Sequence, residues 1–424
     1  MTYEECVEYI LNIPKFSREY VCEDTVRYLK KMNTDSPAEI IHVAGTNGKG
    51  STCAYMYSIL RKAGLSVGFF SSPHLVSINE RISIDGRNIT DEEFLESFEN
   101  VYAKVIEEGG EHHPSFFAFI FLMAMDFYKR KGVDYIILET GLGGRLDATN
   151  AVSKKRLSVI TEIGFDHMEY LGNTIRDISG EKAGIIREQT PVCYWNGKRE
   201  AAEVFEEVSK TKHTDCYSIG ENSISINEVT KESIDFSIGC DYYNYDGLKL
   251  HTCALYQVKN AALAILACTV LRDERITENA IRDGLSDTFW PGRMEEIQAG
   301  IYLDGAHNEN GIDAFLASVS KMECKGKRHL LFSVVSDKQY DTMINKIVSS
   351  KLFDDFYIAP IASSRTLSAA ELRRLFDGYE GIKIHYFESV EDAFNTVIGE
   401  QKEDDYVYVV GSLYLVGQIK SLFI

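Results

Sequence analysis

The chain has 424 residues, 45% of them hydrophobic and 26% charged, which excludes general disorder and leaves room for roughly two or three domains with large cores. Its net charge of −19 excludes non-specific nucleic-acid binding and obliges any anionic substrate to be met by a local cluster of Lys, Arg and backbone N–H groups. Nine cysteines without a C-x-x-C pair read as reduced thiols, mostly in the core. No basic-then-apolar leader opens the sequence, and the longest apolar run, 116–125, is about half of a bilayer span. A cytoplasmic monomer with no membrane or nucleic-acid partner is expected.

From residue 39 onward, β-rich runs alternate with helical ones. Residues 39–44 read as a strand, 49–63 as a helix ended by Gly64, and 66–70 as a second strand. Residues 81–89 read as a hairpin turning at Asp85-Gly86. Helices are predicted over 91–107 and 115–130, and buried strands over 134–139 and 157–161. This rhythm implies a mostly parallel sheet with helices on both faces. Between about 215 and 255, alternating runs such as 223–226 and 233–238 suggest a small antiparallel section, followed by an apolar helix over 260–271. Trp290-Pro291-Gly292-Arg293 is a turn-rich break, and the boundary is placed there, giving domains 1–292 and 293–424. Beyond it, strands are predicted over 300–304, 329–333, 355–359, 382–385 and 406–410, a second and smaller Rossmann-like α/β domain.

The segment Gly45-Thr46-Asn47-Gly48-Lys49-Gly50-Ser51 lies between a predicted strand and a predicted helix. Glycines let such a loop turn tightly and aim N–H groups at phosphate oxygens, and the helix N-terminus adds positive potential. Lys49 can reach the outer phosphates, and the Ser51 hydroxyl can ligate Mg²⁺. The match to G-x-x-x-x-G-K-[ST] is imperfect, because Val43 stands at the first Gly and Gly50 separates Lys from Ser. The competing reading is a Gly-rich turn without ligand.

Other segments follow in order: Ser71-Ser72-Pro73-His74-Leu75 with Glu80-Arg81-Ile82, then Glu139-Thr140-Gly141-Leu142-Gly143-Gly144-Arg145-Leu146-Asp147-Ala148-Thr149-Asn150. Asp166-His167, Glu181-Lys182-Ala183-Gly184, the 290–293 segment, Asp304-Gly305-Ala306-His307-Asn308 and Gly411-Ser412-Leu413-Tyr414 complete them. With the 45–51 loop, this set resembles the folylpolyglutamate synthase and dihydrofolate synthase family of the Mur-ligase superfamily.

The resemblance implies a P-loop Mur-ligase-type central domain and a ligase that uses ATP to turn the carboxylate of a (tetrahydro)folate, or of dihydropteroate, into an acyl phosphate, which the amine of L-glutamate attacks to give folylpolyglutamates or dihydrofolate. It implies ATP contacts at Thr46, Asn47, Gly48, Lys49, Gly50, Ser51, Asn260, Arg293, Asp304 and His307. It implies Mg²⁺ at Ser51, Ser72, Glu139, His167 and a carbamylated Lys182. Lys49, Lys182, His167 and Arg293 are the expected catalytic groups, and ATP is expected in a cleft between the domains. From the residues alone, Glu139 ends an apolar strand, where a buried carboxylate needs a partner. His167 reads as structural, since Mg²⁺ prefers oxygen, and Lys182 as a solvated helix lysine. Arg365 is one loop candidate for the glutamate carboxylates, set against an ordinary surface residue.

Two departures stand out. The family usually has His-Gln before Lys-Asn, where this chain has Tyr256-Gln257. The pterin-contacting segment usually reads Thr-x-Phe-Glu, where this chain has Ser115, Phe116, Phe117 and Ala118; the companion segment Leu146, Asp147, Ala148 is intact. Losing that carboxylate removes an acceptor for pterin N–H groups, which tells against dihydropteroate as substrate and motivates a rival reading, a Mur-type ligase acting on a non-folate carboxylate. A second rival is a P-loop nucleotide-binding protein without ligase chemistry.

Overall fold

A computed structural model describes residues 1–14, 22–34, 37–109, 112–336, 340–362 and 366–423. Arg365 lies outside the described residues. The chain divides into two compact units, one comprising 1–224, 238–245 and 259–288, the other 225–237, 246–258 and 289–424.

The first unit is built on eight strands: β1 (Glu39–Ala44), β2 (Val67–Phe70), β3 (Ile82–Ile84), β4 (Arg87–Asn88), β5 (Tyr135–Glu139), β6 (Leu157–Ile160), β7 (Val192–Trp195) and β8 (Cys216–Ile219). Their order is β4-β3-β2-β5-β1-β6-β7-β8. Six run parallel, and β3 and β4 fold back as an antiparallel edge. Asp85 and Gly86 have φ of 50° and 93°, the paired positive values a tight hairpin needs. Every residue of β5 is buried, as expected of a strand covered on both faces.

One strand was misplaced by pattern. Cys216–Ile219 falls where an antiparallel section was expected, yet it pairs in parallel with β7. As the last strand of the sheet its side chains are only half-buried, so it lacks the continuous apolar run of an interior parallel strand. The chain's next strands, β9 (Ile224–Val229), β10 (Ile234–Cys240) and β11 (Tyr243–Leu250), form a separate sheet ordered β11-β10-β9.

The helix Phe116–Lys131 starts from Ser115, whose hydroxyl accepts the Ala118 N–H, and ends on Gly132 at φ 67°. Phe119, Ile120, Phe121 and Leu122 are fully buried, and residues 116–125 are apolar on every side, the signature of a core helix. Burying each of those side chains stabilises the unit by about 1.5–3 kcal/mol. Among the described residues, no helix is long and apolar enough to cross a membrane. All nine cysteines are free.

The second unit carries β12 (Arg293–Gln298), β13 (Ile301–Asp304), β14 (Arg328–Phe332), β15 (Asp355–Ile358), β16 (Lys383–Tyr386) and β17 (Tyr406–Val410), ordered β12-β13-β17-β14-β15-β16. All pair in parallel except β12, which runs antiparallel to β13. β12 is hidden in the sequence because it is an edge strand rich in charge, with two register irregularities. The apolar helix expected over 260–271 begins a turn earlier, at Tyr256.

The helix Glu278–Ser286 lies against the helix Lys49–Lys62, and a Cβ on Gly284 would come within 2.5 Å of Ile59 Cα. A backbone atom cannot swing aside, so Gly284→Ala is expected to cost about 1–3 kcal/mol. Urea unfolding of the variant beside the parent checks this.

Candidate functional site

Strand β1 delivers the chain into the loop 45–51, and the helix Lys49–Lys62 leaves it. The loop is fixed from below by the end of β6. Glu162 carbonyl accepts the N–H groups of Thr46 (2.9 Å) and Asn47 (3.2 Å). Thr161 Oγ1 donates to the Asn47 carbonyl at 2.7 Å, and Thr46 Oγ1 to the Gly164 carbonyl at 3.1 Å. This leaves no room for side chains at two glycines. A Cβ on Gly45 would lie 1.8 Å from Thr161 Oγ1, and one on Gly48, where φ is +83°, would lie 2.2 Å from Asn260 Oδ1. Asn260, expected to contact nucleotide, is thus packed directly beneath the loop and 5% exposed.

Gly48 precedes the helix without a side-chain cap, whereas Thr90, Ser115, Thr174 and Thr277 cap the helices they begin. An uncapped N-terminus keeps its N–H groups available to an anion. Ser51 Oγ is buried with no hydrogen-bond partner in the described structure, the condition of a ligand-binding atom.

Two lysines converge on the loop. Lys49 Nζ donates to the carbonyls of Gly45 and Thr46, both at 3.2 Å. Lys182 Nζ donates to the same Gly45 carbonyl at 2.8 Å. Lys182 lies in the helix Ile175–Ala183 and is 3% exposed, so it is not a solvated helix lysine. Burial, with the nearby Lys49 charge, lowers its pKa to about 7 against the pull of Asp166 and Asp147.

Glu139 ends β5, 3% exposed, and accepts the Ser72 N–H at 3.0 Å. Ser72 is held by the turn that follows it. Glu80 accepts the N–H groups of Leu75, Val76 and Ser77 at 2.7–2.9 Å, and Arg81 Nε donates to His74 Nδ1 at 2.8 Å. Burial and Arg81 lower the His74 pKa to about 4, which leaves its ring nitrogen able to accept. His167 begins a short helix at φ 51°, with 40% of its side chain exposed. Its N–H donates to Asp166 Oδ1 at 2.9 Å.

A divalent cation fits these residues. Ser51 supplies an orphaned hydroxyl and Glu139 a buried carboxylate, both oxygen donors of the kind Mg²⁺ selects. Among the described residues, no three His, Cys, Asp or Glu side chains form a ready metal cluster, and Mg²⁺ commonly takes one or two carboxylates with water and phosphate oxygens.

The acceptor segments lie apart in character. Leu146 is 69% exposed, while Asp147 is buried. Ala118 is fully buried in the first turn of its helix, Phe116 carries the Arg81 guanidinium over its ring at 5.2 Å, and Phe117 packs on Phe70 at 5.4 Å.

In the second unit, Asp304 ends β13, 2% exposed. It accepts from the Tyr256 hydroxyl and from the N–H groups of Met294 (3.0 Å) and Ala306 (2.8 Å), and burial raises its pKa. Arg293 Nη1 donates to the Gly292 carbonyl at 2.8 Å, and His307 Nδ1 lies 2.7 Å from the Gly305 carbonyl. Residue reasoning marked Tyr256 only as a departure from the family's His, without its bond to Asp304, and it missed Thr161 and Glu162. Their position at the C-terminal end of a predicted buried strand was the available signal.

The sequence matches the Mur ligase middle domain over residues 43–268 and the Mur ligase glutamate ligase domain over 292–413. It is 35% identical over 392 residues to the dihydrofolate synthase/folylpolyglutamate synthase of Bacillus subtilis (strain 168), covering 90% of this chain and 89% of that one. The structure is similar to that of E. coli FolC in complex with DHPP and ADP, with a TM-score of 0.88, 28% identity, and coverage of 100% and 98%. It is also similar to a bifunctional folylpolyglutamate synthase/dihydrofolate synthase with Mn, AMPPNP and L-glutamate bound, with a TM-score of 0.85, 27% identity, and coverage of 100% and 98%.

Two outcomes follow from the geometry. Gly48→Ala forces a side chain into a positive-φ position against Asn260, and is expected to weaken AMPPNP binding at least about tenfold by calorimetry, or ~1.4 kcal/mol. For Lys182, the sign is set by its lowered pKa of about 7 in the folded chain. Between pH 7 and an unfolded value of about 10.5, the unfolded chain holds a proton that the folded chain has lost, so stability rises with pH there. In CO₂-free buffer, the stability of the parent relative to Lys182→Met is expected to be lowest at pH 7 and below and to climb toward pH 10, read by urea unfolding at each pH.

Proposed function

Because the chain belongs to the folylpolyglutamate synthase/dihydrofolate synthase family of ATP-dependent ligases, we propose that it joins L-glutamate to (tetrahydro)folate through an acyl phosphate, extending folylpolyglutamates. Residues 1–292 form the ATP-binding ligase domain in this reading and 293–424 the C-terminal ligase domain. The observation that carries it is the pair of lysine amines converging on the Gly45 carbonyl beside the unpartnered Ser51 hydroxyl. The ADP, AMPPNP and Mn named for the solved relatives support ATP and a divalent cation as the occupants.

A carboxylate is a poor electrophile, and the ligase must give it a leaving group. An oxygen of the acceptor carboxylate attacks the γ-phosphorus, and the bond to the ADP oxygen breaks. The glutamate amine then attacks the acyl carbon, a C–N bond forms, inorganic phosphate leaves, and the amine gives up a proton. The protein's part is to hold the groups in line and to neutralise charge. Backbone N–H groups of 48–51 receive the phosphates, those of Thr46 and Asn47 being held by the Glu162 carbonyl, and the Lys49 ammonium can exchange its two carbonyl partners for phosphate oxygens. Arg293 supplies a guanidinium for phosphate charge, with Asp304 and His307 as further nucleotide contacts. Ser51, Ser72, Glu139, His167 and carbamylated Lys182 would hold Mg²⁺, which when bound neutralises the charge of the transferring phosphoryl group.

Carbamylation suits the setting of Lys182. The amine is buried, and a pKa near 7 supplies the neutral form whose nitrogen attacks the carbon of CO₂, forming the N–C bond, releasing one proton and leaving an anionic oxygen donor. Ser115, Phe116, Phe117, Ala118, Leu146, Asp147 and Ala148 are the acceptor-side residues in this reading. Ala118 favours a second acceptor assignment, a carboxylate other than dihydropteroate, since it offers no carboxylate to pterin N–H groups.

Glutamate-dependent ADP release with tetrahydrofolate, dihydropteroate and non-folate carboxylates tests the reading. A γ-glutamyl product with tetrahydrofolate is expected, together with a loss of about 10³-fold or more in Lys49→Ala that still folds. Nucleotide binding without a glutamyl product from any acceptor would overturn the ligase assignment.

A further inference from the structure

One buried network of the first unit has no part in the chemistry described so far. His42 sits in the middle of β1, fully buried, three residues before the phosphate loop. Its Nε2 is 2.7 Å from Thr149 Oγ1, and Thr149 is also fully buried. Thr149 Oγ1 in turn donates to Asp147 Oδ1 at 2.5 Å. The rest of the Asp147 carboxylate is occupied by backbone: Oδ2 accepts the N–H groups of Gly141 and Leu142, both at 2.8 Å, and Oδ1 accepts that of Thr149 at 3.0 Å.

A hydroxyl has one proton to give. Thr149 gives it to the carboxylate, so it must accept from the histidine, which fixes the imidazole as the Nε2–H tautomer. The other nitrogen, Nδ1, is buried with no hydrogen-bond partner, as a bare lone pair can be at modest cost. Burial and the neighbouring Lys155 and Arg187 push the His42 pKa well down and keep the ring neutral. The chain of bonds therefore runs in one direction: imidazole N–H to hydroxyl, hydroxyl to carboxylate, and three backbone N–H groups to the same carboxylate.

What it ties down is the loop 141–148. At one end the loop leaves Glu139. At the other, the Arg145 N–H donates to the Glu181 carbonyl at 2.8 Å, and Gly144 lies so close to the Lys182 carbonyl that a Cβ there would be 3.0 Å from it. The network thus joins the strand that feeds the phosphate loop to the loop that runs between Glu139 and the helix of Lys182.

We propose that His42 and Thr149 are positioning residues which, through the Asp147 carboxylate, lock the acceptor-side loop 141–148 to the nucleotide-side strand β1. Asp147 in this assignment organises the loop, and Leu146 and Ala148 present its surface to the acceptor. The inference deepens the ligase reading and rests on it for the word acceptor; the bond network stands without it.

The experiment compares Thr149→Val, which removes the hydroxyl and keeps the volume, with Thr149→Ser, which restores the hydroxyl. In Thr149→Val the acceptor KM is expected to rise about tenfold while the ATP KM stays within about twofold, and Thr149→Ser is expected to return the acceptor KM to near the parent's. Amide hydrogen exchange, which needs no activity, is read on the same proteins: faster exchange at Gly141 and Leu142 is expected in Thr149→Val and parent-like exchange in Thr149→Ser. Unchanged exchange at those two amides in Thr149→Val would overturn the proposal, as would equal rises in both KM values that the serine does not reverse. A parent inactive on every carboxylate would sink the ligase reading instead, and the exchange data would still decide the network.

Discussion

Two lysine amines share one carbonyl. Lys49 and Lys182 both donate to the Gly45 oxygen, in a chain whose net charge is −19. A neutral carbonyl offers two lone pairs but no charge, so it satisfies both amines geometrically without stabilising a second charge beside Lys49. Lys182 shows the consequence, its pKa drawn down by burial and by Lys49. A polyanion is what such a place lacks, and the surroundings agree: an uncapped helix N-terminus and a buried serine hydroxyl without a partner. The glycines at 45 and 48 matter because Thr161 and Asn260 press against the loop from below. The site's shape is set from beneath, leaving its polar groups to face the ligand.

Carboxylates in the other motif segments hold the backbone around this site. The Glu80 carboxylate binds three backbone N–H groups and shapes the turn after Ser72, and Glu139 reaches the Ser72 N–H. The Asp147 carboxylate does similar work for the loop 141–148. Asp304 caps the end of β13 and takes the Tyr256 hydroxyl. Several of the carboxylates in the motif segments thus hold backbone in place.

Much of this was legible in the sequence, and for identifiable reasons. Interior strands such as β5 and β17 are continuous apolar runs, and the helix at 116–131 is apolar all round over 116–125, so pattern alone finds them. The Asp85-Gly86 turn declares its hairpin. Edge strands do not announce themselves: β12 is charged and irregular, and β8 falls inside the stretch expected to be antiparallel although its pairing is parallel. The phosphate loop was readable from its glycines and Lys49. The buried state of Lys182 was not, because a lysine in a polar helical stretch looks solvated until the Gly45 carbonyl is brought to it through the fold. The contacts of Tyr256, Thr161 and Thr149 escaped for the same cause: the partners are far away in sequence, and hydroxyls at strand and loop ends carry no periodicity.

The central claim is that the triphosphate held at 45–51 activates an acid by phosphorylating it. Labelling the acceptor carboxylate with ¹⁸O and analysing the inorganic phosphate released on ligation tests this most directly. Transfer of one labelled oxygen per turnover to phosphate is predicted, because the carboxylate oxygen that attacks the γ-phosphorus departs with it. Phosphate free of label, alongside a glutamyl product, would contradict the account.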